Sequence, residues 1–121
     1  MSHIIPFTIT APGEPRLSHA LPERLIDGNP QYKTWEMDSV DGDRIRAGLW
    51  EATPGTTLSI KGTTWEFCVI LSGLVEITED GGPSHRFQAG DSFTLRPGFV
   101  GQWKTIETVR KLWVIVSNPA A

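Results

Sequence analysis

PGTTLSIKGTTWEFCVILSGLVEITEDGG (residues 54–82) and HRFQAGDSFTLRPGFVGQWKTIETVRKLWVIV (residues 85–116) are short apolar or alternating runs broken by turn residues. In LVEITE, Val75 and Ile77 share one face while Glu76 and Thr78 share the other, the period of two of a strand covered on one side. WEFCVIL and LWVIV are continuously apolar, as strands covered on both sides are. Gly55, Gly73, Gly82, Gly90 and Gly98 fall between runs. Upstream, from Tyr32, YKTWEMD leads into VDGDR, and RIRAGLWEA into TPGT. Many short strands with scarcely a helical stretch predict an all-β antiparallel sandwich or barrel of about eight or more strands, with helix below about 10% of residues.

Outward from this region, residues 1–30 hold five of the nine prolines and no helical period. Proline lacks an N–H and pushes its predecessor toward extended geometry, so the segment reads as an extended N-terminal arm, followed by a barrel over 31–121. LPERLI, Leu21 to Ile26, has the length for a single helical turn. The arm still carries Ile4, Ile5, Phe7, Ile9, Leu17, Leu21, Leu25 and Ile26, which need a surface, either the chain's own barrel or a partner's. The expectation is a homodimer in which the arm crosses onto the partner and covers an exposed sheet edge.

The chain has 121 residues, enough for one layered core that hides roughly 65% of the unfolded surface. Eleven basic residues stand against 14 acidic ones, a net charge of −3 with no basic block, which argues against nucleic acid or an anionic membrane as partner. One cysteine excludes a disulfide scaffold. Residues 1–15 lack a basic stretch followed by an apolar segment, and no run nears the 18 or so apolar residues of a membrane span. A soluble cytoplasmic protein is expected. DGDR (Asp41 to Arg44) and EDGG (Glu79 to Gly82) read as hairpin turns, since each lacks the other ligands of a calcium loop. There is no phosphate-binding glycine loop, dinucleotide fingerprint or nucleophile elbow.

The ordering of Glu66, Gly73, Gly90-Asp91, GFVGQW and VRKLWVIV resembles the cupin superfamily of RmlC-like jelly-roll barrels. Within it the sequence is most similar to small single-domain cupins related to ureidoglycine aminohydrolase and to the ethanolamine-utilisation cupins. The resemblance covers residues 45–117 and implies a double-stranded β-helix, often dimeric, with a pocket between its sheets. It also implies a divalent metal held by two histidines and a glutamate of a first motif and a histidine of a second. On that pattern Lys61 and Thr63 stand where the first two histidines would, Glu66 is retained, and Gly101 stands at the last position. No metal and no cofactor is therefore expected. His3, His19 and His85, the chain's three histidines, all lie off the motifs.

The pocket candidates are Glu66, Cys68, Lys61, Trp50, Trp65, Trp103 and Trp113; no catalytic residue is assigned. Glu66 reads either as a carboxylate satisfied within the barrel or as the polar anchor of a pocket, with Lys61, Lys104, Arg46, Arg96 and Lys111 as possible partners. Cys68 shares its strand face and reads as a small buried hydrophobe or as a ligand or nucleophile. Each of the five tryptophans fits core packing, a pocket wall or an interface. In VRK, alternation sends only one of Arg110 and Lys111 inward. Two functions follow: binding of a small polar metabolite without a complete metal site, or, as the resemblance implies, a ureidoglycine aminohydrolase-like enzyme acting on a C–N bond.

Overall fold

The alternating runs become nine antiparallel strands and no helix in the computed structural model, which describes residues 2–118. They are β1 (Arg16–His19), β2 (Leu25–Gly28), β3 (Gln31–Val40), β4 (Ile45–Ala52), β5 (Gly55–Ile60), β6 (Thr64–Glu79), β7 (Ser84–Gln88), β8 (Ser92–Leu95) and β9 (Val100–Ser117). The sheet runs β1-β3-β4-β9-β5-β2, and β6 pairs with β7, β8 and β9.

Two long strands make this sheet a curled barrel. The first part of β6, Thr64 to Ile70, pairs with the last part of β9, Lys111 to Ser117, and its second part, Val75 to Glu79, pairs with Gly101 to Thr105. β9 adjoins β4 through Val109 to Val116 and β5 through Val100 to Thr105, so each long strand belongs to both halves of the barrel. The halves face each other: Trp50 of β4 and Trp103 of β9 meet edge to face with ring centroids 5.6 Å apart.

Gly73, expected between two strands, lies inside β6. The register slips at Ile70/Ser72, Ser72/Leu74 and Leu74/Val75, and Gly73 takes φ +90°. A Cβ there would stand 2.2 Å from the Thr108 carbonyl oxygen. The bulged corner thus bends β6 against β9 where only glycine allows the two backbones to approach. The apolar core gathers on the inner faces beyond this corner, with Ile70, Val75, Ile77, Trp103 and Val109 buried.

Residues 16–28 form two strands on the barrel of their own chain, β1 against β3 and β2 against β5. LPERLI closes a single turn, with the Arg24 and Leu25 amides donating to the Leu21 carbonyl at 2.9 and 3.1 Å, and Leu25 then enters β2. Ahead of β1 the chain lies over the outer face of the first half. The Trp35 indole donates to the Gly13 carbonyl at 2.9 Å, and the Arg110 guanidinium caps the Trp35 ring at 4.9 Å. DGDR turns β3 into β4 with the Arg44 amide donating to the Asp41 carbonyl, and EDGG turns β6 toward β7.

Candidate functional site

Strand register lays out the site before any side chain is considered. Across β4, β9 and β6, Arg46, Ile115 and Glu66 form one row, Gly48, Trp113 and Cys68 the next, and Trp50, Lys111 and Ile70 the third. Residues two apart share a face, so all nine belong to the same side of this half. The rows border a cavity of about 390 Å³, a size suited to a small molecule, which Trp103, Lys61 and β5 close from the other half.

Glu66 is the polar centre of this arrangement, 3% exposed. Lys61 Nζ donates to Oε1 at 2.5 Å and Lys111 Nζ to Oε2 at 2.8 Å. The Lys111 ammonium also lies 4.6 Å from the Trp50 ring centre and 4.5 Å from that of Trp103, where the negative ring faces attract a cation. Burial pushes the Glu66 carboxyl up, but the charges of Lys111 and Lys61 and their hydrogen bonds more than offset this and hold it at about 2. For Lys111, burial alone would lower the ammonium, yet contact with the Cys68 sulfur and the Glu66 carboxylate raises it above the ordinary lysine range. Burial pushes the Cys68 thiol up to about 12, against the pull of Lys111 and with the Glu66 charge adding to the rise. At neutral pH the site therefore holds a fixed carboxylate, a fixed ammonium and a neutral thiol. Acid–base catalysis favours groups that exchange protons near the working pH, and Glu66, Lys111 and Cys68 all lie far from it.

Because the folded pKa of Glu66 lies below the ordinary 4.5, its pairing stabilises the fold fully above about pH 4.5 and is lost as pH falls toward 2. The expected loss is about 3 kcal/mol across that window. Urea midpoints for wild type and Glu66→Gln, compared at about pH 6 and about pH 3, check this. The variant should lose less between the two conditions, and parallel losses would contradict the pairing.

Of the residues read from the sequence, Glu66, Lys61, Trp50, Trp103 and Trp113 line the cavity. Cys68 lies fully buried beside it. Trp65 alternates with Glu66 along β6, which carries it to the opposite face. Lys111 points inward and Arg110 outward, where it pairs with Glu51 at 3.1 Å. Arg96 lines a separate cleft beside Phe87, Phe93 and Phe99, and Lys104 lies on β9 opposite Glu76. Arg16 and Arg24 also line the cavity. Their proline-rich surroundings in sequence contain no signal for a place on a barrel wall.

The retained glutamate does not fit a divalent metal here. Both carboxylate oxygens are taken by lysine ammonium groups, and the Thr63 hydroxyl donates to the Asn118 carbonyl at 2.7 Å. At Gly101 any side chain would begin 2.3 Å from the Thr78 carbonyl oxygen. Among the described residues, no three of His, Cys, Asp and Glu come together as a ligand group.

Facing antiparallel halves bridged by two bent strands, with a cavity between them, define a cupin jelly roll. The model of the EutQ-like cupin domain matches residues 41–113, and the chain belongs to that family. Among solved structures, a protein of unknown function of the DUF861 family from Pseudomonas syringae pv. tomato superposes with a TM-score of 0.72 at 22% identity, over 84% of this chain and 44% of that one. The present chain thus spans less than half of that protein's length. The EutQ protein of Clostridium difficile gives 0.64 at 18% identity over 83% of this chain and 80% of its own. A DUF861 family protein from Thermotoga maritima gives 0.51 at 34% identity over 54% of this chain and 73% of its own. No curated protein matches the sequence. No helix among the described residues is long and apolar enough to cross a membrane.

Proposed function

We propose that this cupin binds a small polar metabolite in the cavity around Glu66 and does so without a catalytic metal. The observation that carries this reading is the double capping of Glu66 by Lys61 and Lys111 inside a molecule-sized cavity walled by tryptophans. The capping fills the carboxylate positions a metal would use and leaves charge and aromatic surface for recognition. Plasma emission spectrometry on protein purified without a histidine tag tests the metal half, with well under one equivalent of transition metal expected. A fragment screen read by NMR tests the binding half, since occupants should shift the indole signals of Trp50 and Trp103. Silent indoles throughout would reject the binding reading.

The second reading is a hydrolase of C–N bonds resembling ureidoglycine aminohydrolase, favoured by the retention of Glu66 at its motif position. About one Mn, Fe, Ni or Zn per chain, lost in Glu66→Gln, would move the assignment to it.

We further propose that two copies associate through the segment that carries β1 and β2, the strands at the two ends of the sheet order. Leu17, Leu21 and Ile26 there are 72%, 58% and 48% exposed, and among the described residues β1 pairs only with β3, which leaves its outer edge open. Removing residues 1–20 should halve the mass seen by light scattering and lower the melting temperature. An unchanged mass and melting temperature would reject the association.

A further inference from the structure

The cavity around Glu66 has a charge imbalance opposite to that of the whole chain. Arg16, Arg24, Arg46, Lys61 and Lys111 line it against the single carboxylate of Glu66, whereas the chain carries a net charge of −3. Lys61 and Lys111 share that carboxylate, so no acid lining the cavity remains for the three arginines. Among the described residues only Arg46 of the three has a side-chain partner, Glu36, and at 3.9 Å that contact is at the limit of an ion pair. Its Nε is buried and has no hydrogen-bond partner among the described residues, while 37% of the side chain is exposed, so the terminal amino groups are the part a cavity ligand can reach. Native proteins seldom keep a buried N–H without an acceptor.

The position of Arg46 shows what kind of acceptor would fit. It lies in the same row as Glu66 but two strands away, about 10 Å from backbone to backbone, so an anion beside it need not meet the Glu66 carboxylate. Along β4 the next inward positions are Gly48 and Trp50, and the Trp113 ring packs over Gly48, where a Cβ would stand 3.0 Å from it, and borders the cavity with 6% of its surface exposed. The planar guanidinium matches the paired oxygens of a carboxylate or phosphate, and the neighbouring indoles offer flat apolar surface.

We infer that the cavity takes a small organic anion, with its carboxylate or phosphate group on Arg46 and its apolar part on Trp50 and Trp113. This rests on the ligand-binding reading above and adds the ligand's chemical class. The test is a tryptophan-fluorescence titration at constant ionic strength with benzoate, phenyl phosphate and neutral benzamide. At least one anion should saturate the signal and bind about tenfold or more tightly than benzamide, and the stronger of the two identifies the preferred head group. Arg46→Gln should remove that preference, and Arg44→Gln, at the β3–β4 turn and paired with Asp41, should keep it. Should Arg46→Gln fail to fold, Arg46→Lys retains the charge, lacks the paired donors of the guanidinium, and should still weaken the anion. Benzamide binding as well as the anions, or an Arg46 variant that keeps the preference, overturns the inference while leaving ligand binding intact. No saturation by either anion overturns it as well, and the fragment screen then decides separately whether the cavity binds anything.

Discussion

Lys111→Met is expected to lower the unfolding free energy by about 3–5 kcal/mol, because it leaves a buried carboxylate with half of its compensation. Glu66 is 3% exposed and accepts from two ammonium groups, of which Lys111 is the more deeply buried. Methionine fills most of the lysine's volume, so the loss reports charge rather than a cavity. The substitution also removes the cation between Trp50 and Trp103, a smaller contribution of about 1 kcal/mol. In the double variant Glu66→Gln/Lys111→Met no buried charge is stranded, and Lys61, with 17% of its side chain exposed, can turn to solvent. Most of the stability should therefore return. Urea unfolding of the four proteins forms a double-mutant cycle, with a coupling of about 2 kcal/mol or more expected. A cost below about 1 kcal/mol for Lys111→Met would mean that water screens the pair, contrary to the burial of Glu66 and Lys111.

The second large effect is expected at Gly101. Gly101→His places an imidazole at the position that the motif assigns to the last metal ligand, yet it should destabilise the protein by at least about 3 kcal/mol and recruit no metal. The first atom of any side chain there would lie 2.3 Å from the Thr78 carbonyl oxygen and 2.8 Å from the Phe99 ring. Gly101 pairs with Glu79 on one side and Ser59 on the other, so its backbone cannot shift without breaking two ladders. Lys61→His meets no such backbone contact and should fold, with a smaller loss from the missing contact to Glu66. Melting curves and metal content of the two variants separate these outcomes. A stable Gly101→His protein that binds metal would refute the strand geometry at this corner and the metal-free reading together.

The site was legible where alternation alone decides it. Glu66 and Cys68 share a face because they are two residues apart, and just one of Arg110 and Lys111 enters the barrel because adjacent strand residues diverge; that it is Lys111 is decided by the pairing of β9. Trp65 is a pocket candidate in the sequence, but the same alternation places it on the face opposite Glu66. Arg46 stood among five possible cationic partners of Glu66. No local pattern distinguished Lys61 and Lys111, which make the contact, from Arg46, Arg96 and Lys104, which do not: Lys61 reaches Glu66 across the turn before β6, and Lys111 through the pairing of β6 with the distant β9.

From the sequence alone came the all-β class, the turns at DGDR and EDGG, the shared faces of alternating residues and, through the family resemblance, the loss of the histidine positions. Each rests on local stereochemistry: a period of two, the φ angles that glycine and aspartate tolerate, and the identity of a side chain. The tertiary structure decided the rest. It merged runs on both sides of Gly73 into β6 and runs around Thr108 into β9, since a glycine bend inside a strand and a glycine turn between strands read alike until the partner backbone is in place. It seated β1 and β2 on their own chain and brought Arg16 and Arg24 to the cavity wall. It also selected, from five possible cationic partners of Glu66, the Lys61 and Lys111 ammonium groups. The depressed pKa of that carboxylate depends on charges and burial contributed by β6, β9 and the loop before β6, which no window of sequence contains together.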